Sequence, residues 1–259
     1  MPRPFLTPTR SNMEKISRRE FLTQAVVGAA AALTSKRGLA HLPEGAFDRE
    51  DWRGFLNELR HNPENFIAER GLSGTFRPED RAALEPLIKE QEKYFDKMTS
   101  NQREKHFEYA TDALARIMEK ECAMQRVPFG VGLGTAIVES RCKADARSES
   151  GAVGVMQLMP ETWEEYGSSK KDLRKIPEKN IAAGLAYLEH LHKELKRWDL
   201  AVLGFFVGEG AAKYFSKNGR RGFAEIVKSA GKELGHSRIY VPKVEAAFRA
   251  WVRWQARAV

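Results

Sequence analysis

The sequence predicts a mainly α-helical protein, and three observations support this fold class. Apolar residues recur at intervals of three and four along most of the chain, which is the spacing of one helix face. Alternating apolar and polar runs, the signature of half-buried strands, are absent at any useful length. Glycines and small polar residues between Ser148 and Gln157 indicate one short β-hairpin or turn region.

Six apolar stripes predict the main helices. They are Trp52, Phe55, Leu56 and Leu59; Leu84, Leu87, Ile88 and Phe95; Phe107, Ala110, Leu114 and Ile117; Leu133, Ala136 and Ile137; Ile181, Leu185, Leu188, Leu191 and Leu195; and Val244, Ala247, Phe248 and Trp251. Pro128 stands before the fourth stripe, at a place where helices accept proline. Residues 41–105 carry no chemical motif, so we expect a helical accessory segment there and a single domain over 106–259.

Residues 1–40 resemble a twin-arginine export signal. Arg18 and Arg19 precede a weakly hydrophobic run at 25–33, which is too short for a transmembrane helix of about 20 residues. The alternative, a first helix of the fold, would need a polar face that this run lacks. We therefore expect export to the periplasm, removal of the signal before residue 41, and no stable membrane span afterwards. Translation could start at Met1 or Met13.

The net charge of +8 is concentrated at the N-terminus. Residues 1–40 contain seven Lys or Arg and two Asp or Glu, so only +3 remains for the rest of the chain. No basic stripe interleaved with aromatic residues appears, which argues against a nucleic-acid partner. No spacing typical of metal ligands and no cofactor motif is present, so we expect neither a metal nor a cofactor.

The most informative carboxylate is Glu139, at the end of an apolar helix. A turn rich in glycine and polar residues follows it at 146–160. Apolar surroundings disfavour the charged form of a carboxyl group and raise its pKa, so the group can act as a general acid near neutral pH. Taken by itself, the same position also fits an ordinary solvent-facing glutamate at a helix end.

The whole string of motifs resembles the transglycosylase domain of the soluble lytic transglycosylases, family 23 of the glycoside hydrolases, which has the lysozyme-like fold. The matching segments are Glu139-Ser140, then Ser148 through Pro160 with Val155 in place of the usual Leu, then Asn180-Ile181-Ala182-Ala183-Gly184-Leu185-Ala186-Tyr187-Leu188, and finally Ser237-Arg238-Ile239-Tyr240-Val241-Pro242-Lys243-Val244. The resemblance covers roughly residues 111–251. It implies a lysozyme-like helical domain with its turn region at the active site.

The resemblance also implies roles for individual residues. Glu139 would protonate the bond between N-acetylmuramic acid and N-acetylglucosamine and then act as base, which closes a 1,6-anhydro ring. Ser140 would orient Glu139, and Tyr240 would supply a hydroxyl close to it. Met156 and Gln157 would line the cleft, with the amide of Gln157 facing an N-acetyl group. The partner is thus a peptidoglycan strand; any partner in the cell-envelope machinery is left unspecified.

One segment departs from the family pattern. The family has Ala-Ala-Tyr-Asn-Ala-Gly where this chain has Phe205 and Phe206 in place of the tyrosine and asparagine, so a phenol and an amide are replaced by apolar rings that cannot form hydrogen bonds. We assign both rings to the substrate-binding surface. The substitutions keep open the hypothesis of a peptidoglycan-binding module with weak or no activity. A muramidase that uses water is a further alternative.

Overall fold

The computed structural model describes residues 49–257, which fold into twelve α-helices and two 3₁₀ turns. The helices are α1 (Arg49–His61), α2 (Pro63–Arg70), α3 (Pro78–Asp96), α4 (Ser100–Phe107), α5 (Asp112–Gln125), α6 (Phe129–Ser140), α7 (Pro160–Tyr166), α8 (Pro177–Leu195), α9 (Trp198–Val207), α10 (Glu209–Ser216), α11 (Phe223–Leu234) and α12 (Tyr240–Arg257); the 3₁₀ turns are Leu72–Thr75 and Gly235–Ile239. The predicted export signal at 1–40 lies outside the described residues.

The predicted helical class is confirmed, and the predicted hairpin is smaller than expected. Between residues 49 and 257, β-structure is limited to two isolated antiparallel bridges, Arg147 with Val153 and Val153 with Leu158. The turn region is held by backbone hydrogen bonds within it, such as Gly154 N–H to the carbonyl oxygen of Ala146 (2.9 Å), and by side chains from outside it.

The third apolar stripe was wrongly assigned to one helix. Phe107 ends α4, and a new helix, α5, begins at Asp112. The side-chain oxygen of Thr111 accepts a hydrogen bond from the backbone N–H of Leu114, which caps the start of α5. The apolar spacing continues across this break because both helices cover the same core, so periodicity alone could not reveal it.

Helix α6 runs through the centre of the core and lies antiparallel to α12. All residues of α6 from Phe129 to Ile137 are buried. A methyl group added at Gly134 would lie only 2.5 Å from the carbonyl oxygen of Val244, so glycine allows the two backbones to approach closely. Since the helices run in opposite directions, the next turns bring the end of α6 beside the beginning of α12.

The N-terminal helices pack into the same core as the rest of the chain. The buried carboxylate of Glu245 on α12 accepts a hydrogen bond from the Ser73 hydroxyl (2.6 Å) and another from Nε of Arg249 (2.8 Å). Arg249 also forms a bidentate pair with Glu85 on α3, at 2.8 and 2.9 Å. The described part of the predicted accessory segment is therefore joined to α12 by buried polar contacts as well as apolar ones.

No helix among residues 49–257 is both long enough and apolar enough to cross a membrane. Within the same residues, His, Cys, Asp and Glu form no group of three or more that could hold a metal ion. Cys122 and Cys142 are buried free thiols.

Candidate active site

Glu139 is half-buried in the last turn of α6. Burial disfavours the carboxylate and raises its pKa from 4.5 to about 6. A hydrogen bond from Tyr240 and the positive charge of Lys243 act in the opposite direction, but they are smaller effects. The side chain therefore keeps its proton up to about pH 6, as a general acid requires.

Tyr240, the first residue of α12, donates a short hydrogen bond from its hydroxyl to Oε1 of Glu139. The close packing of α6 on α12 at Gly134 brings these two side chains together, since both lie about one turn farther along. Burial and the adjacent Glu139 raise the pKa of Tyr240 well above its usual value, so the phenol remains a donor. The Tyr240 hydroxyl therefore lies beside Glu139, as the family resemblance implied.

Ser140 contacts the turn that follows the helix. Its hydroxyl donates a 2.6 Å hydrogen bond to the carbonyl oxygen of Val155. Among the described residues it forms no hydrogen bond with Glu139. Ser140 thus fixes the turn against the end of α6, whereas the family resemblance implied that it would orient the acid directly.

The side chain of Met156 does not line a cleft, contrary to the prediction. It is fully buried and packs on α8, where a methyl group added at Gly184 would lie 2.6 Å from its sulfur. Gln157 is half-buried, with a left-handed backbone (φ 47°). Its amide nitrogen donates to the carbonyl oxygens of Ala146 (3.1 Å) and Gly154 (3.0 Å). Within the described residues its amide oxygen accepts no hydrogen bond.

Two buried residues that the sequence analysis did not assign to the site hold the turn in place. Asn180 donates to the carbonyl oxygens of Val153 (3.0 Å) and Arg174 (2.9 Å), and its Oδ1 accepts the backbone N–H of Met156 at 2.7 Å. Arg174 donates to the carbonyl oxygens of Gly151 (3.0 Å) and Leu158 (2.8 Å). The only signal for Asn180 was its place in the family-like motif on α8; nothing marked Arg174.

Phe205 and Phe206 point to different neighbours. Phe205 packs beside Tyr187, with ring centroids 5.6 Å apart, and Tyr187 in turn contacts Tyr166 at 5.2 Å. Phe206 stacks on Tyr240 with centroids 4.4 Å apart and an angle of 15° between the planes. Because Phe206 is 37% exposed, it offers a free aromatic edge next to the Glu139–Tyr240 pair.

A cavity of about 510 Å³ lies elsewhere, against Arg70, Glu119 and Phe129. Phe129 begins α6 and Glu139 lies ten residues farther on, which corresponds to about 15 Å along the helix axis. None of the predicted site residues lines this cavity. It is thus separate from the acid.

The family model described as "Transglycosylase SLT domain" matches residues 116–227, whereas no curated protein matches the chain. Among solved structures, an inactive mutant of the lytic transglycosylase Slt from Pseudomonas aeruginosa is 21% identical, covering 85% of this chain and 38% of that one, with a TM-score of 0.47. The 70 kDa soluble lytic transglycosylase from Escherichia coli is 18% identical, covering 93% of this chain and 41% of that one, with a TM-score of 0.48. The chain thus spans about two fifths of the length of these proteins. The family match confirms the predicted family resemblance, and the helical structure confirms the mainly α class: residues 116–227 match the transglycosylase SLT domain.

Proposed function

We propose that this chain is a lytic transglycosylase that cleaves the β-1,4 bond between N-acetylmuramic acid and N-acetylglucosamine in peptidoglycan. The observation that carries the proposal is Glu139, a half-buried carboxyl group whose pKa is raised to about 6 beside a phenol donor. The match of residues 116–227 to the transglycosylase SLT domain supplies the substrate class.

The reaction uses Glu139 twice. Its proton passes to the glycosidic oxygen as the bond from that oxygen to C1 of the muramyl residue breaks. The 6-hydroxyl of the same muramyl residue then bonds to C1, and its proton returns to the Glu139 carboxylate. The product is a 1,6-anhydro-muramyl end, and no water is consumed. Between the two transfers, the Tyr240 hydroxyl stabilises the carboxylate by its hydrogen bond.

A nucleophile that belongs to the substrate itself is consistent with a site in which Glu139 has no carboxylate partner among the described residues. Most glycosidases use two acidic residues, one of which activates water or attacks the sugar. Within residues 49–257, the groups that shift the pKa of Glu139 are Tyr240 and Lys243, and no second acid is among them. A hydroxyl tethered to the reacting ring lessens the need for a second carboxylate because it is already in place.

The substrate-binding surface consists of aromatic faces and one amide. We assign the exposed part of the Phe206 ring to the sugar rings. The amide oxygen of Gln157, which accepts no hydrogen bond within residues 49–257, is assigned to the N–H of an N-acetyl group. Phe205 supports Tyr187 and Tyr166 in a row of rings beside them. Aromatic rings can contact the apolar C–H groups of sugars, so we expect the loss of the family's amide and phenol to change the affinity for substrate more than the chemistry of cleavage.

We also propose that the chain acts outside the inner membrane, because peptidoglycan lies there. The twin-arginine segment with Arg18 and Arg19 supplies the route. Cell fractionation of the wild type and of a variant with both arginines changed to lysine tests this: the wild type is expected in the periplasm and the variant in the cytoplasm.

The decisive experiment is a digestion of purified peptidoglycan followed by mass analysis. Wild type should release anhydro-muropeptides, each lighter by one water than the product of hydrolysis. Glu139→Gln should release none, while Glu149→Gln, which removes an exposed carboxylate from the neighbouring turn, should behave as wild type.

Other outcomes identify the other hypotheses. Muropeptides with reducing ends alone would mean a muramidase that uses water. Sedimentation of wild type with peptidoglycan, without any release of fragments, would mean a binding module and would overturn the enzymatic proposal.

A further inference from the structure

We propose that Arg141 and Lys243 form a binding surface for the carboxylates of the peptide stems on peptidoglycan. The enzyme would then cleave strands that carry peptides faster than bare glycan strands. This inference rests on the proposed function and names a substrate preference of the same site.

Both cations lie beside the acid. Arg141 follows the last residue of α6, two positions after Glu139, and its left-handed backbone (φ 57°) turns the chain away from the helix. Lys243 lies three residues after Tyr240 on α12, so the two share one helix face. Both side chains are exposed.

The positive charges of Arg141 and Lys243 both act on His106. After burial, which is the main cause, Arg141 and Lys243 both help to lower the pKa of His106 to about 4. Lys243 also lowers the pKa of Glu139. Arg141, Lys243 and the acid therefore share one side of the molecule, which His106 of α4 borders.

Neither cation has an anionic partner within residues 49–257. The side chains of Arg141 and Lys243 form no ion pair and no hydrogen bond there, whereas Arg174 and Arg249, among others, are paired with carboxylates. Positive charge beside Glu139 opposes the burial that keeps this carboxyl protonated. Lys243 thus makes Glu139 lose its proton at a lower pH. This disadvantage for a general acid favours a role of Lys243, with the neighbouring Arg141, in binding an anionic part of the substrate.

The surface continues onto the N-terminal helices. Lys143 lies 5.6 Å above the ring of Tyr109, which is 41% exposed, and it forms only a loose pair with Asp145 at 3.8 Å. The exposed ring of Tyr94 meets His106 edge-on at 6.0 Å. Tyr94 belongs to α3, and Tyr109 to the turn after α4. Through Tyr94, the segment 41–105, which has no recognisable motif, contributes to this surface.

The chemistry of peptidoglycan matches this arrangement. Each stem is attached through a lactyl ether to the muramyl ring, and the bond that Glu139 protonates is at C1 of such a ring. Two extended amino-acid residues span about 7 Å, so the first free carboxylates of a stem can reach groups next to the acid. An exposed pair of opposite charges contributes about a threefold preference, and screening by salt weakens it.

The test compares two preparations of the same glycan strands, one intact and one from which an N-acetylmuramyl-L-alanine amidase has removed the stems. The ratio of kcat/KM on intact strands to that on bare strands is measured for wild type, Arg141→Asn, Lys243→Gln and the double variant. Asparagine is chosen at 141 because it tolerates the left-handed backbone. Lys120→Gln is the matched control, since Lys120 is exposed and has no ion pair within residues 49–257. Lys120 lies on α5, which ends next to the start of α6, whereas Glu139 lies at the other end of α6.

Wild type should prefer intact strands, and the ratio should fall about threefold in each single variant and about tenfold in the double variant. Lys120→Gln should keep the wild-type ratio. In wild type the ratio should also fall as salt is raised, a readout that needs no substitution. A ratio that neither salt nor the substitutions change would overturn the inference while leaving the proposed function intact. Failure to cleave either preparation would instead count against the proposed function.

Discussion

Removal of the Tyr240 hydroxyl should raise the pKa of Glu139 further. In the wild type this phenol donates to Oε1 of Glu139 and lowers a pKa that burial has raised. A hydrogen bond to a charged group contributes about 1.5–3 kcal/mol, which corresponds to a pKa change of about 1–2 units. In Tyr240→Phe the pKa of Glu139 should therefore rise from about 6 to about 7–8. Phenylalanine keeps the ring that stacks on Phe206, so the fold should persist.

The assay is the pH dependence of kcat/KM on purified glycan strands. A general acid must carry its proton, so activity should fall as pH rises through the pKa of Glu139, near 6 in wild type and about 1–2 units higher in Tyr240→Phe. Below pH 6 the variant should be about 10- to 100-fold slower, because the carboxylate formed after proton transfer has lost its donor. An alkaline limb that stays in place, or that moves to lower pH, would refute the reasoning.

Three further predictions test the framework around the acid and the proposed binding surface. Asn180→Ala should cost about 3 kcal/mol of unfolding free energy, measured by urea denaturation, because it leaves the backbone N–H of Met156 and the carbonyl oxygen of Arg174 without a partner; Val153 keeps its bond from Leu158, and an unchanged midpoint would contradict this. Gly134→Ala should destabilise the protein by about 1–3 kcal/mol because the added methyl group clashes with α12. Gly54→Ala, in open space on α1, should stabilise it by about 0.5–1 kcal/mol. Equal urea midpoints for the two variants would count against the close packing of α6 on α12. Phe206→Ala should raise KM for glycan strands about threefold to tenfold with a smaller change in kcat, and an unchanged KM would remove Phe206 from the binding surface.

The sequence was sufficient to predict the helical class, the position of Glu139 at a helix end and, through the family resemblance, its contact with Tyr240. Glu139 follows an apolar stripe that had to be a buried helix, so its position at a helix end came from periodicity. The contact with Tyr240 could be predicted only from the family resemblance. Its physical cause is Gly134, whose missing side chain lets α6 and α12 approach, and nothing in the spacing of apolar residues reveals that contact.

The roles within the turn could not be predicted for a different reason. Whether a turn side chain points to solvent or to the core depends on the backbone angles of that residue and on contacts distant in sequence. Met156 is directed into the core because Asn180, 24 positions later, binds its backbone N–H. The hydroxyl of Ser140 likewise bonds to a carbonyl oxygen 15 residues away, at Val155. Such long-range polar contacts leave no periodic signal.

The central claim, that burial keeps Glu139 protonated to about pH 6, is tested most directly by titration of this carboxyl group. Protein labelled with ¹³C at the glutamate side-chain carboxyl can be followed by NMR between pH 3 and 9, with Glu139→Gln to assign the resonance. We predict that one resonance titrates near pH 6 in wild type and is absent in the variant. A resonance assigned to Glu139 that titrates at or below 4.5, the ordinary value for glutamate, would contradict the account.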